Sequence, residues 1–294
     1  SDSVRGAYSQ LKPDDTAAEG ILVNTIMSFN ADGFSLGDEG SVNNSGGDFV
    51  AWCWKAGNGT VENNDGELAC TVSANPEAGF SIIGFDNRTS DDTNFTMGHG
   101  LDKAPEFVVV KNRGKSSQFA AWHKKITANY YLALNDSDAQ ASYSGYFPSG
   151  GMTATTIKLG TDDDVSGQSN GPGIIYAWHS VEGFSKFGSY KGNANNPNNA
   201  FVYLGFRPAL VICKKYSGTS SWSMWDNKRN PHNAVLSPLL ADTTAVEATE
   251  GAGYGLSFLS NGFKVHTTSS YAGENSDYIY MAWAEMPFKY ANAR

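Results

Sequence analysis

The five histidines are the residues best suited to acid–base chemistry or metal binding near neutral pH. They are His99, His123, His179, His232 and His266, and none forms an HxH or HxxH pair. Metal sites need several ligands at defined spacing, and in a repeated fold such ligands should recur in each copy. These histidines do not recur, so we predict surface or turn positions for them rather than roles as ligand or base.

The carboxylates show no catalytic pattern either. Asp162, Asp163 and Asp164 are consecutive and offer oxygen ligands for a hard cation, but related segments do not preserve three carboxylates. We therefore predict a solvated acidic turn. Glycoside hydrolysis needs two carboxylates on either side of one bond, and no spacing singles out such a pair. Because nucleophile-elbow, P-loop and HExxH motifs are also absent, we predict no catalytic, cofactor or metal site and no enzymatic activity.

Aromatic residues are the better candidates for ligand recognition. Five of them fall in a polar stretch, where we expect exposure: Tyr130, Tyr131, Tyr143, Tyr146 and Phe147. Trp54, Trp178 and Trp283 instead hold equivalent positions inside apolar segments, which is typical of core residues.

A long internal repeat organises the chain. Pro105-Glu106-Phe107-Val108-Val109-Val110-Lys111 corresponds to Pro208-Ala209-Leu210-Val211-Ile212-Cys213-Lys214 at an offset of 103 residues. The second half of this unit occurs a third time near the N-terminus, at an offset of 229: Ser28-Phe29 and Gly33-Phe34 match Ser257-Phe258 and Gly262-Phe263. The Asp2/Arg5 pair likewise returns as Asp226/Arg229, but His123 and Ile126 replace it in the middle copy. We read it as a structural salt bridge.

Composition indicates a β protein. Charged residues are only 17 %, aromatics are 13 %, and Gly numbers 32 among 294 residues, a mixture that suits pleated faces and tight turns. The net charge of −9 without a basic cluster argues against nucleic acid as a partner, and no apolar run reaches 18 residues. Three cysteines make no disulfide framework, and Cys53, between two tryptophans, is predicted to be buried.

Short strands with Gly-rich turns predict an all-β fold of tandem antiparallel β-sandwich-like repeats of about 104 residues. The strands of the last unit are predicted at 183–190, 200–206, 209–216, 221–225, 256–259, 262–267 and 278–284. The segment 209–216 is apolar enough for burial on both faces. Asp15 to Glu19 and Asp242 to Glu250 are the nearest approach to helical turns. Units of this length can each form their own hydrophobic core, which favours separately folded domains along the chain.

The predicted organisation is a half repeat over 1–57, a linker over 58–78, and whole units over 79–182 and 183–294. An orphan half exposes a sheet edge and an apolar face. It must pack on the next unit, be completed by another chain, or belong to a chain that is longer at its N-terminus. We favour the last two arrangements.

Several motifs resemble repeats in virion proteins of tailed, especially marine, bacteriophages. They include Asp2-Ser3-Val4-Arg5-Gly6, the Phe49 to Gly57 segment, Gly183 to Tyr190, and the closing Pro287 to Arg294. The resemblance covers nearly the whole chain. It implies a tail-fibre or surface-appendage role, and it brings no catalytic residues.

The resemblance leads us to expect a non-enzymatic structural protein on the virion surface, made in the host cytoplasm. Its expected partners are other virion proteins and a host-surface glycan, with a homo-oligomer possible and neither nucleic acid nor membrane insertion involved. A secreted carbohydrate-binding module array and a capsule depolymerase are the alternatives.

Overall fold

The computed structural model describes residues 1–86, 93–166, 171–196, 198–247 and 255–286. Within these ranges the regular secondary structure is almost entirely antiparallel β-strand, which confirms the predicted all-β class. The elements, in chain order, are β1 Ser9–Gln10, β2 Gly20–Ile21, β3 Ile26–Asn30, β4 Gly33–Leu36, α1 Gly40–Asn43, β5 Val61–Asn63, β6 Cys70–Asn75, β7 Phe80–Phe85, β8 Phe95–Gly98, β9 Phe107–Asn112, β10 Ala120–His123, β11 Tyr130–Ala133, β12 Ala141–Ser142, β13 Thr156–Leu159, α2 Asp163–Ser166, β14 Gly173–Trp178, β15 Ser185–Lys191, β16 Phe201–Tyr203, β17 Pro208–Lys215, β18 Ser223–Asp226, β19 Leu239–Leu240, β20 Leu256–Leu259, β21 Gly262–Val265 and β22 Asp277–Ala284.

Two large sheets share one strand order. The eight-stranded sheet runs β12-β11-β10-β9-β14-β7-β6-β5, and the five-stranded sheet runs β15-β22-β17-β18-β19. Strands matched by the sequence offset of about 103 residues occupy matching places: β7-β14-β9-β10-β11 in one sheet corresponds to β15-β22-β17-β18-β19 in the other. In both, the strand nearest the end of the unit lies in the middle, paired on each side.

A smaller sheet covers one face of each large sheet. The β8–β13 pair encloses a core with the eight-stranded sheet that includes Phe85, Met97, Val108 and Ile157. The β16-β21-β20 sheet encloses a second core, with Val211, Trp225, Phe258 and Phe263, against the five-stranded sheet. Burying the apolar face of each sheet in this way removes apolar area from water, which is the main favourable contribution to folding.

The opposite faces of the two large sheets pack against each other. Their shared core contains Phe107 and Trp178 from the eight-stranded sheet, Phe187 and Trp283 from the five-stranded sheet, and Trp222 from the segment just before β18. The alternation of side chains along a strand explains why both faces are apolar, since neighbouring residues in β9 and β17 point into different cores. The two whole repeats therefore do not form separate units with independent cores, as expected, but stack as layers that share one core.

The three repeat-equivalent tryptophans meet at that centre. The ring centroid of Trp54 lies 5.2 Å from that of Trp283 and 6.2 Å from that of Trp178, both in edge-to-face geometry. Trp178 and Trp283 are buried, as predicted, whereas Trp54 is half-buried against the same core. Edge-to-face contacts of this kind add to the stability gained from burial.

Residues 58–78 do not form the predicted linker. They contain β5 and β6, and β6 pairs with β7 from Thr71↔Gly84 to Asn75↔Phe80. The polar turn residues that suggested a linker lie between and beside these strands, while Cys70 and Val72 are buried in the core under the sheet. The segment thus extends the eight-stranded sheet rather than connecting separate units.

The predicted helical turns are also wrong. Residues 15–19 and the described part of 242–250 have no helical structure, and residues 248–250 lie outside the described ranges. The helices that occur, α1 and α2, have four residues each. Within the part of the chain that the structure describes, no helix is long and apolar enough to cross a membrane.

Both Asp–Arg pairs form the predicted salt bridges. Arg5 Nε lies 2.6 Å from Asp2 Oδ2, and Arg229 Nε lies 2.7 Å from Asp226 Oδ2. Each aspartate also accepts backbone N–H groups through its other oxygen, from Val4 and Arg5 in the first pair. The repeated motif is therefore a local turn closed by an ion pair.

Cys53 is exposed, contrary to prediction, because residues 52–56 alternate strictly and place Trp52, Trp54 and Ala56 towards the core. Burial raises the pKa of Cys70 to about 11 and that of Cys213 to about 12. Thiolates are the reactive form, so buried thiols with raised pKa values react slowly.

We expect Ellman's reagent to modify one thiol rapidly in the folded protein, and Cys53→Ser to remove that reaction. Rapid modification of two or three thiols would contradict this arrangement.

Candidate functional site

Three of the five histidines are buried, which corrects the predicted surface placement. His99 Nδ1 accepts the backbone N–H of Leu101 at 3.1 Å, and His123 Nδ1 accepts that of Lys125 at 3.1 Å. Burial lowers the pKa of His123 to about 3. His179 is buried too, whereas His232 is exposed and His266 is half-buried. Among the described residues, no group of three or more His, Cys, Asp or Glu is placed to hold a metal ion.

The acidic triplet is tied to neighbouring side chains rather than simply solvated. Tyr143 donates its hydroxyl to Asp162 Oδ2 at 2.7 Å, and Tyr146 donates to Asp164 Oδ2 at 2.7 Å. Lys115 Nζ lies 3.2 Å from Asp164 Oδ1. The hydrogen bond to Asp162 raises the pKa of Tyr143 to about 12. Two tyrosines and a lysine thus hold these carboxylates at the start of α2.

The predicted recognition aromatics separate into two groups. Tyr131, Tyr143 and Tyr146 form an edge-to-face cluster with centroid separations of 4.5 to 6.4 Å. However, Tyr146 and Phe147 are buried, and Tyr130 packs against the shared core. Tyr146 and Phe147 are not exposed as expected, because the loop after β12 folds back onto the core beneath the eight-stranded sheet. Tyr143 is exposed and Tyr131 half-buried, so these two remain available to a ligand.

Tyr131 opens onto a pocket of about 320 Å³ at the edge of the eight-stranded sheet. The pocket lies between β11, β12, the loop that joins them, and the loop between β17 and β18. Its walls are Gln118, Tyr131, Ala133, Asp136, Asp138, Ala139, Ala141 and Thr219. Its volume is at the lower end of the range for small-ligand sites.

Contacts between the two halves of the molecule fix the walls of this pocket. Ser220 N donates to Ser137 O at 2.8 Å, and Gln140 N donates to Tyr216 O at 3.0 Å. The buried Lys214 Nζ donates to Ser137 O at 2.6 Å. Asp138 N donates to Asp136 Oδ1 at 3.1 Å, which closes a local turn in the loop. The pocket is therefore formed on ordered backbone before any ligand binds.

The chemistry of the pocket suits a polar, uncharged ligand. Asp136, Asp138, Gln118 and Thr219 offer hydrogen-bond acceptors and donors, while Tyr131 contributes an aromatic ring. The lining has two carboxylates and no lysine or arginine, which disfavours anions, and the buried ammonium of Lys214 behind Ser137 offsets part of the carboxylate charge. An aromatic ring beside several hydrogen-bonding groups is the combination that binds a molecule with one apolar face and a polar rim.

Sequence reasoning found Tyr131 but missed the other lining residues. Asp136 and Asp138 belong to the polar run 135–140, which signals a loop and nothing more specific. Thr219 lies 88 positions after Tyr131 and carries no local signal. Only the packing of the two large sheets brings it to the pocket.

Comparison with known families matches residues 1–287 to one family model, a domain of unknown function designated DUF7483. No curated protein and no solved structure matches the chain. Because the family model spans nearly the whole sequence, the chain belongs to the DUF7483 family.

Proposed function

We propose that this protein is a non-catalytic structural component of the outer surface of a tailed-phage virion, and that it binds a host-surface glycan. The pocket beside Tyr131 is the observation that carries the binding role. The virion role rests on the repeat motifs around Asp2, Phe49 and Gly183. Stacked β-layers with few charged residues also suit a rigid appendage that survives outside a cell.

The lining selects for a class of glycan. Asp136 and Asp138 disfavour uronic and sialic acids, because bringing like charges together in a partly desolvated pocket is costly. Neutral hexoses present hydroxyl groups to carboxylate and amide acceptors, and an apolar ring face to Tyr131. The ligand expected from this chemistry is a neutral or amino-sugar segment of a surface polysaccharide.

A glycan array followed by calorimetric titration tests the proposal. We expect neutral or amino-sugar oligosaccharides to bind, and Tyr131→Ala or Asp138→Asn to weaken binding about tenfold or more, equivalent to about 1.4 kcal/mol. Tyr203→Ala is the matched control, because Tyr203 is exposed on the other half of the molecule and does not line the pocket. A preference for acidic glycans, or equal affinity for all three variants, would remove the pocket from the proposal.

The capsule depolymerase remains the second candidate for one specific reason. Asp136 and Asp138 line the same pocket, and glycoside hydrolysis needs two carboxylates in one cleft. Incubation with host polysaccharide, followed by measurement of reducing ends, separates the two candidates. New reducing ends that disappear in Asp138→Asn would establish hydrolysis and exclude a purely binding role.

A secreted carbohydrate-binding module array would have the same pocket, but it would be found in the medium and not on the virion surface. Antibodies against the protein, applied to intact purified particles, distinguish these readings. Labelling of the particle surface supports the virion role, and detection only in the medium supports the secreted array.

A further inference from the structure

An apolar surface near the N-terminus contrasts with its buried counterpart in the last repeat. Met27, Phe29, Leu36 and Phe49 are 39 to 53 % exposed. At the offset of 229 residues they correspond to Leu256, Phe258, Val265 and Tyr278, which are all 0 % exposed. The same positions are therefore solvent-exposed in one copy and fully buried in the other.

The backbone shows the same contrast. Residues 48–56 correspond to β22, which is paired on one side with β15 and on the other with β17. In the described structure, none of these nine residues donates a backbone N–H to another backbone group. Likewise, β4 pairs only with β3, whereas its counterpart β21 pairs with both β20 and β16. An extended segment with unpaired edges is a template for strand addition.

The last repeat shows what covers this surface. Phe258 and Phe263 lie in a core that includes Val202, Phe206 and Val211, which come from β16, β17 and the turn between them in the first half of the same unit. We propose that residues 20–36 and 48–56 form an acceptor surface for a polypeptide segment with the first-half repeat pattern. That segment would add strands on both sides of residues 48–56 and place its apolar side chains on Phe29 and Phe49.

Charge complementarity supports an occupant that resembles the first half of the last repeat. The acceptor surface contains Asp32, Asp48 and Lys55, a net charge of −1. Residues 183–225, the first half of the last repeat, contain five basic and no acidic residues, a net charge of +5. In the last repeat the strand register sets Lys191 opposite Asp277, the counterpart of the exposed Asp48. Opposite charges at facing positions accelerate association and fix orientation at low salt.

The acceptor surface is also continuous with an existing interface. Trp52 and Trp54 pack against the shared core between the two large sheets, and Trp54 contacts both Trp178 and Trp283. An added first half would extend that core rather than begin a new one. A second copy of this chain is a weaker occupant, because both of its own first halves are already engaged in its two large sheets.

The direct test adds a fluorescein-labelled synthetic peptide of residues 183–225, carrying Cys213→Ser, to the full chain and follows fluorescence anisotropy. We expect saturable binding that weakens with rising salt, because the interaction pairs opposite charges. Phe29→Asp should weaken binding at least tenfold. Val246→Asp is the matched control, since Val246 is exposed but lies outside the acceptor surface. Hydrogen exchange of residues 48–56 should be fast in the free chain and slowed by the peptide.

Three results would overturn the proposal. The first is binding no tighter than that of a scrambled peptide, with no slowing of exchange in residues 48–56. The second is equal loss of affinity in Phe29→Asp and Val246→Asp. The third is a dimer of the full chain, seen by light scattering, that Phe29→Asp converts to monomer, because a second copy would then be the occupant. None of these results depends on the glycan pocket, so the two proposals fail separately.

Discussion

Replacing Arg5 with methionine is expected to lower the free energy of unfolding by about 3–5 kcal/mol, the usual cost of leaving one member of a buried ion pair alone. The Arg5 side chain is 1 % exposed and contacts two carboxylates, Asp2 at 2.6 Å and Glu19 at 2.7 Å. It also donates to the hydroxyl of Tyr176 at 3.0 Å. Since Tyr176 is on β14, the pair joins the N-terminal segment to the centre of the eight-stranded sheet. Urea denaturation of wild type and variant measures the loss.

Arg207→Met is the control for this prediction. Arg207 pairs with Glu285 at 3.0 Å, but both side chains are more than 30 % exposed. Exposed ion pairs contribute about 0–1 kcal/mol, so the control should lose little stability. The double variant Asp2→Asn, Arg5→Met should lose less than the sum of its single changes, because removing both charges leaves neither unpaired. Equal losses in Arg5→Met and Arg207→Met would contradict the buried network.

The same network predicts that the free energy of unfolding falls in acid. Burial alone raises the pKa of Asp2, but the Arg5 guanidinium and the hydrogen bond from Tyr176 outweigh it and hold that pKa below its usual value. A carboxyl whose pKa is lowered in the folded state stabilises the protein above its unfolded pKa, about 3.9, and loses that contribution as the pH falls through the folded value. The stability difference between wild type and Arg5→Met should therefore narrow in acid, as the pH falls towards the lowered pKa of Asp2.

Truncating Trp222 to alanine is expected to lower the free energy of unfolding by about 3–5 kcal/mol. The loss should affect the whole molecule and not one half alone. Trp222 is fully buried in the core shared by the two large sheets, and its Nε1 donates to the carbonyl of Ala133, in β11, at 2.8 Å. The variant removes a large apolar volume and the shorter of two hydrogen bonds to that carbonyl, which also accepts the backbone N–H of Asp136 at 3.3 Å. Calorimetry should show a single unfolding transition in wild type and a single, lower transition in Trp222→Ala.

The conservative change Trp222→Phe separates the contribution of the buried apolar volume from that of the indole hydrogen bond. It keeps most of the apolar volume and removes the hydrogen bond, so we expect a loss of about 1–3 kcal/mol. Two calorimetric transitions, of which Trp222→Ala moves only one, would mean that the two large sheets unfold independently. That result would restore the interpretation of the repeats as separately folded domains.

Local pattern was sufficient to place most strands of the last repeat. The segment 209–216 is apolar at consecutive positions, and β17 is indeed buried on both faces between two cores. The β3–β4 and β20–β21 hairpins form at Asp32-Gly33 and Asn261-Gly262, but both glycines begin a strand and neither has a positive φ. These features depend on neighbours in sequence, because side-chain alternation and tight-turn geometry are set within a few residues.

Contacts between distant segments decided how the sheets stack, where Cys53 lies and how the pocket forms. The sequence could not show that the two large sheets stack, because a strand apolar on both faces does not identify what lies on its second face. It predicted a buried Cys53 from apolar neighbours, but among the described residues no strand pairs with residues 48–56, and Cys53 is exposed. It identified Tyr131, but the pocket also needs Thr219, which reaches it only through the packing of one sheet on the other. Periodicity therefore determined the strands of this protein, and long-range packing determined its layers, its pocket and its exposed acceptor surface.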